Sequence, residues 1–228
     1  DGINIKNRSQ EIESILAEAL GTNIPSKAVL LVGGRGTRLR PLTNKTPKAL
    51  LEVQNKTITE HLFDLLKKYG IRDVVLCVGY LKDKIKNHFG DGAKIGMNIS
   101  YIEENEPLGT AGAVKKALRF VDEEEFFVYN ADDIIDLDWG EFGKVGANAI
   151  AVGHPRSTFG AVDIDKKNNV LAFREKPLET FWANAGAYIF SKNISLPEKG
   201  NLEADVIPKM KLKAFQHDGF WLQVNTAK

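Results

Sequence analysis

The chain has 228 residues, 43% apolar and 27% charged, which suits a globular protein with a substantial core and excludes a disordered or fibrous one. Basic and acidic side chains nearly balance at a net charge of +1, which excludes a general attraction to nucleic acid or to anionic membrane. One cysteine, Cys77, excludes an internal disulfide, and the runs Ala28–Val32 and Val74–Val78 are too short to cross a bilayer, so a cytoplasmic protein is expected.

Within residues 1–26, Ile12, Ile15, Leu16, Ala19 and Leu20 recur at helical spacing until Gly21 and Pro25. This predicts a helical N-terminal extension ahead of one main domain, 27–228. From Lys27 the pattern alternates. Ala28–Val32 reads as a buried strand, Ile58 to Tyr69 as a helix ended by Gly70, and Asp73–Val78 as a second buried strand. A short helix over Lys82–Phe89, a strand at Ser100–Ile102, a helix over Ala111–Leu118 and a strand at Glu125–Tyr129 repeat the scheme. Strands separated by helices predict an α/β, Rossmann-like fold: a mainly parallel sheet flanked by helices on both faces. In the second half Ala149–Gly153, Ala161–Ile164, Val170–Phe173 and Ala185–Phe190 read as strands, the middle two joined by the turn Lys166–Asn169, and Leu202–Met210 reads as a helix.

The densest chemical signal follows the first strand. Gly33, Gly34 and Gly36 let the backbone turn sharply and bring amide N–H groups close to an anion. Arg38 inside the loop and Lys48 after Thr46-Pro47 add two cations, as a triphosphate requires. The mononucleotide string G-x-x-x-x-G-K-[ST] is absent, and the dinucleotide fingerprint fails where Leu39 replaces its last glycine.

Gly33-Gly34-Arg35-Gly36-Thr37-Arg38-Leu39-Arg40-Pro41-Leu42-Thr43, followed by Pro47-Lys48, resembles the signature of the sugar-1-phosphate nucleotidyltransferases (NDP-sugar pyrophosphorylases), G-G-x-G-T-R-L-x-P-L-T then P-K. The resemblance runs from Lys27 to about Thr226 and sits nearest to the mannose-1-phosphate guanylyltransferases and glucose-1-phosphate nucleotidyltransferases. It implies the nucleotide-diphospho-sugar transferase fold, and a reaction in which a nucleoside triphosphate and a sugar 1-phosphate give an NDP-sugar and pyrophosphate. It also implies Mg²⁺ as cofactor, no nucleic-acid or membrane partner, and room for a homo-oligomer.

Carried over position by position, the resemblance makes Arg38, Lys48 and Asp132 catalytic and gives the nucleotide to Gly33, Gly34, Gly36, Thr37, Gly109 and Thr110. Glu104 stands where the family reads the base. A carboxylate accepts two hydrogen bonds from guanine but one from uracil or thymine, which favours GTP with mannose 1-phosphate over UTP or dTTP with glucose 1-phosphate. Taken alone, Glu104 is equally a solvated loop acid. Asn130-Ala131-Asp132 matches N-G-D with alanine for glycine, and Asp132 matches the Mg²⁺ ligand. Asp133 reads as a turn acid or an auxiliary ligand. Gly160, the Glu175-Lys176-Pro177 string and Asn184 match the sugar-phosphate side. Gln223 departs from the pattern, standing where Trp221-Leu222-Gln223 meets W-x-D, whose aspartate completes the metal site.

That departure leaves a second reading: a catalytically impaired regulatory paralogue that binds nucleotide sugar. A nucleotidyltransferase for phosphocholine or a cofactor precursor is a third, weakened by the E-K-P and N-A-G-x-Y matches. His61, His88, His154 and His217 have no metal-ligand spacing, and no Ser/His/Asp or Cys/His set suggests covalent catalysis.

Overall fold

The structure, a computed structural model, describes residues 24–224. Residues 1–23 of the expected N-terminal helix lie outside the described residues, as do Asn225 and Thr226.

The chain opens with β1 (Lys27–Leu31), the hairpin β2 (Glu52–Val53) and β3 (Lys56–Thr57), then α1 (Ile58–Lys68), β4 (Asp73–Val78), α2 (Lys82–Phe89) and β5 (Asn98–Glu103). It continues with α3 (Gly109–Ala117), β6 (Glu125–Tyr129), β7 (Ile134–Ile135), the short α4 (Trp139–Gly143) and β8 (Ala149–Gly153). The last part holds β9 (Ala161–Ile164), β10 (Val170–Arg174), β11 (Ala183–Ser191), β12 (Lys213–His217) and β13 (Trp221–Leu222).

The central sheet has seven strands in the order β12-β8-β11-β6-β1-β4-β5. β1 pairs parallel with β4 and β6, β4 with β5 and β12 with β8, whereas β11 runs antiparallel to both β6 and β8. The sheet is therefore the mixed, mainly parallel one that the alternating pattern implies. The edge strand β12 had no counterpart among the expected elements, because Lys213-Ala-Phe-Gln-His217 carries no apolar run.

Strand periodicity of two sorts the apolar runs onto both faces. Ala28, Leu30, Val74 and Leu76 belong to a core with α1, α2 and the aromatic group of α4, and Val29, Val75 and Cys77 to a second core with α3. α1 begins with a reciprocal cap, in which Glu60 N donates to Thr57 Oγ1 at 3.1 Å and Thr57 N to Glu60 Oε2 at 2.7 Å. The helix expected over Leu202–Met210 is a π-helical turn, Leu202–Val206, followed by a 3-10 turn, Ile207–Lys209. Pro208 has no N–H to continue the ladder, so the segment breaks there.

β9 and β10 form a two-stranded ribbon outside the main sheet, with Val162, Ile164, Val170 and Phe173 exposed. No helix among the described residues is long and apolar enough to cross a membrane.

Candidate active site

β1 is the point where the topology reverses. The chain leaves it towards β4 and β5, then returns to β6 on its other side, which leaves a crevice beyond the carboxyl end of β1. A cleft of about 630 Å³ opens there. Gly33, Gly34, Gly36, Thr37, Arg38, Lys48, Glu104, Gly109, Thr110 and Asp132, all marked by the sequence, line it.

The glycine-rich loop is held by its neighbours along the chain and in the sheet. Val32 N donates to Cys77 O at 3.1 Å, Tyr80 N to Gly33 O at 3.2 Å, and the buried Thr43 Oγ1 to Gly36 O at 2.7 Å. Gly36 has φ of 56°, and a Cβ there would lie 2.9 Å from Thr43 Cγ2, so only glycine fits without displacing the threonine. Among the described residues, the amides of Gly34, Arg35 and Gly36 donate to no acceptor. Such free N–H groups are what an anion requires of a loop.

The two cations differ. Arg38 is exposed and forms no ion pair among the described residues. Lys48 is buried, with Nζ 3.0 Å from Asp132 Oδ2 and 3.9 Å from Asp133 Oδ1. The cleft thus offers one exposed, unpaired positive charge and one buried, paired one among the described residues.

On the opposite wall Glu104 Oε2 accepts from Leu108 N at 3.0 Å, which shapes the turn into α3 and leaves its other oxygen uncommitted within this turn. Gly109 has φ of 73° and sits against the Gly200 carbonyl, where a Cβ would collide. The hydroxyl of Thr110 donates to Glu203 Oε2 at 3.0 Å and accepts from Leu202 N at 2.7 Å, so it docks α3 onto the Leu202–Val206 turn.

The carboxylates at the end of β6 have separate tasks. Asp132 is 46% exposed on the cleft wall. Asp133 is turned inwards and accepts from Trp221 Nε1 at 3.3 Å and from Val224 N at 3.2 Å. It therefore tethers β13, which pairs with β7, beside the cleft. Burial, then the neighbouring Asp132 charge, pushes the Asp133 carboxyl up to about 6, against Lys48 and the two donors. Its folded pKa is raised, so the stability it contributes is fully present below the ordinary carboxylate range near 4 and is lost as pH rises through about 6. With chelator present, Asp133→Asn should abolish that component of the stability curve, on the order of 2–3 kcal/mol between pH 4 and 7. Urea titrations at several pH values check it, and parallel curves for both proteins would contradict it.

The sugar-side residues lie outside the cleft lining. A Cβ on Gly160 would fall 2.5 Å from the Phe173 ring and 3.3 Å from Glu175 Oε2, which places Gly160 and Glu175 side by side on the β9–β10 ribbon. Lys176 follows with φ of 42° and is exposed. Asn184 begins a bulge in β11, where the register against β8 slips between Asn184 and Tyr188. The bulge brings Gly186 O to Asn130 N at 2.9 Å, next to Asp132. Gln223 is exposed, one residue before Val224, which lines the cleft.

For a divalent cation the donor set is sparse. No group of three or more His, Cys, Asp or Glu side chains able to hold a metal occurs among the described residues. At the end of β6 Asp132 is open to the cleft, while Asp133 is engaged by Trp221 and Val224. This fits Mg²⁺, which takes one or two protein carboxylates and fills its shell with phosphate oxygens and water.

Comparison with known proteins places the chain in a family. Residues 27–206 match the family described as Nucleotidyl transferase. The mannose-1-phosphate guanylyltransferase catalytic subunit beta of Drosophila melanogaster is 35% identical over 222 residues, covering 89% of this chain and 60% of the relative. The D-glycero-alpha-D-manno-heptose 1-phosphate guanylyltransferase of Campylobacter jejuni is 33% identical, covering 87% of this chain and 94% of the relative. Solved structures of HddC from Yersinia pseudotuberculosis, one of them complexed with GMP-PN, superpose with a TM-score of 0.71 at 28% identity, over 88% of this chain and 94% of theirs. The chain spans about 60% of the length of the catalytic beta subunits it matches. By fold, cleft and family match together, the chain belongs to the nucleotidyl transferase family.

Proposed function

We propose that this chain transfers a guanylyl group from GTP to a sugar 1-phosphate of the manno series and releases pyrophosphate. The observation that carries the reading is the loop at the end of β1, whose free amides, Arg38 and Lys48 converge on one cleft with Asp132. Glu104, on the wall opposite, keeps one carboxylate oxygen for a purine edge. The guanylyltransferase names of both relatives point to the same base.

In the proposed reaction a phosphate oxygen of the sugar phosphate attacks the α-phosphorus in line. The new P–O bond forms as the bond to the β-phosphate breaks, and pyrophosphate leaves with the electron pair. The attacking oxygen is anionic near neutral pH, so no general base is required. Catalysis then rests on position and on neutralised charge. Arg38 and the loop amides hold the triphosphate, and Lys48 faces the charge that builds on the reacting phosphoryl. Asp132 would hold Mg²⁺, which when bound supplies charge neutralisation at the phosphate oxygens. Glu175, Lys176 and Asn184 belong to the acceptor side in this reading, Lys176 drawing in the second anion. The enzyme would work in the cytoplasm.

Pyrophosphate release from GTP, UTP, dTTP, ATP and CTP, each paired with mannose 1-phosphate or glucose 1-phosphate, tests this. GTP with mannose 1-phosphate should be turned over fastest. Tight binding of GTP without pyrophosphate from any pair would replace the reading with a regulatory paralogue, which Gln223 favours. Restoring a carboxylate by Gln223→Asp should raise apparent Mg²⁺ affinity roughly tenfold, because an anionic oxygen binds a hard cation far better than an amide. Initial rates across a Mg²⁺ titration give the value, and an unchanged midpoint would remove Gln223 from the metal site.

A further inference from the structure

Behind the cleft lies a polar hub that neither the loop nor the metal site uses. Glu203 Oε1 accepts from Asn130 Nδ2 at 3.0 Å and from the Tyr188 hydroxyl at 3.2 Å, while Oε2 accepts from Thr110 Oγ1 at 3.0 Å. Asn184 joins it, its Nδ2 donating to the Tyr188 oxygen at 2.6 Å. One carboxylate thus ties together the start of α3, the end of β6 and the bulge of β11.

The hub fixes which way the Asn130 amide points. Turned over, the amide would set its oxygen against Glu203 Oε1, two acceptors in contact. With the nitrogen held by Glu203, Oδ1 is left buried and without a partner among the described residues. An unpaired buried acceptor is unfavourable, and at a cleft wall a bound molecule can supply the missing donor. Asn130 lines the cleft, its N–H tied to Gly186 O of β11 and its amide linked through Glu203 and Tyr188 to Asn184, which the family pattern gives to the sugar. A donor that satisfies Oδ1 therefore arrives with a molecule bound on the Asn184 side of Asn130.

We propose that Glu203 is a positioning residue for the acceptor substrate, holding the Asn130 amide so that Oδ1 accepts a hydrogen bond from a hydroxyl of the bound sugar 1-phosphate. This rests on the nucleotidyl-transfer reading above. Burial and the adjacent Glu203 charge raise the Tyr188 phenol, which keeps it a donor to the hub at any working pH.

Steady-state constants for the wild type, Glu203→Ala, Asn130→Asp and the double variant Asn130→Asp/Glu203→Gln, with GTP and mannose 1-phosphate varied in turn, test it. Glu203→Ala frees the amide to turn over and should raise the KM for mannose 1-phosphate about tenfold while the KM for GTP moves less than about threefold. Asn130→Asp sets two carboxylates together and should raise the same constant at least as much. Adding Glu203→Gln gives the new Asp a donor and should bring the KM back to within about threefold of wild type.

The rescue is a readout that a merely structural role for Glu203 would not produce, and it stands even if Glu203→Ala fails to fold. An unchanged KM for mannose 1-phosphate in Glu203→Ala, equal rises in both KM values, or a double variant worse than Asn130→Asp would each overturn the assignment. The wild type controls the underlying reading. If it neither turns over nor binds mannose 1-phosphate by calorimetry, the nucleotidyl-transfer reading falls, whereas an active wild type with an indifferent Glu203 sinks the present inference alone.

Discussion

Alanine at Lys48 should lower pyrophosphate release at least about a hundredfold, since removing one preorganised charge from a reacting group typically costs two to three orders of magnitude. The side chain is 9% exposed and its ammonium lies 3.0 Å from Asp132, so it is aimed before any substrate arrives. Its loss would also strip Asp132 of its counter-ion. The effect should therefore fall on kcat and kcat/KM together, as for an interaction made in the transition state. Lys48→Arg should not rescue, because a planar guanidinium does not fit a buried slot shaped for a point charge. Arg38→Ala makes a useful contrast. Arg38 is exposed and unpaired among the described residues, and the same loss of rate there should come with a raised KM for GTP. Steady-state kinetics on the three variants decide the matter. Near-wild-type kcat in Lys48→Ala would remove it from the reaction.

The largest expected effect on stability is at Trp139, where truncation to alanine should cost about 3–5 kcal/mol. Trp139 is fully buried at the start of α4, whose N-cap Asp138 accepts from Glu141 N at 2.9 Å. Its ring meets Phe127 edge-on at 5.0 Å and Tyr129 at 5.8 Å. Both partners lie on β6, the strand that leads into Asn130 and Asp132, so the cavity would open against the strand that carries them. Trp139→Phe should cost much less than Trp139→Ala. It keeps most of the ring and removes an indole N–H that has no acceptor among the described residues. Urea unfolding of both variants gives the two numbers, and a cost below about 1 kcal/mol for alanine would show that the aromatic group does not hold β6.

What was legible in the sequence was local. The glycines, Arg38, Thr43 and Lys48 lie within sixteen residues of one another (33–48), and every one of them shapes or lines the cleft. Alternating strands and helices revealed the sheet for a similar reason, since a run such as Asp73–Val78 carries its own periodicity. Long-range roles stayed hidden. Glu203 sits in an unremarkable acidic string, and its three donors lie 15, 73 and 93 residues away. Asp133 looked like a turn acid beside the metal ligand, yet it fastens Trp221 and Val224 from 88 and 91 residues away. The helix expected at Leu202–Met210 failed because Pro208 lies inside an otherwise helical pattern. Gly160, Glu175 and Lys176 were marked through a family resemblance and sit beside the β9–β10 ribbon, outside the cleft lining.

Everything functional depends on a polyphosphate lying along the loop that leaves β1. A crystal structure with a non-hydrolysable GTP analogue and Mg²⁺ tests this most directly. The β- and γ-phosphate oxygens should lie about 2.7–3.2 Å from the amide nitrogens of Gly34, Arg35 or Gly36, with the Arg38 guanidinium beside them. A nucleotide bound elsewhere on the molecule, with those amides turned to groups of the protein itself, would contradict the account.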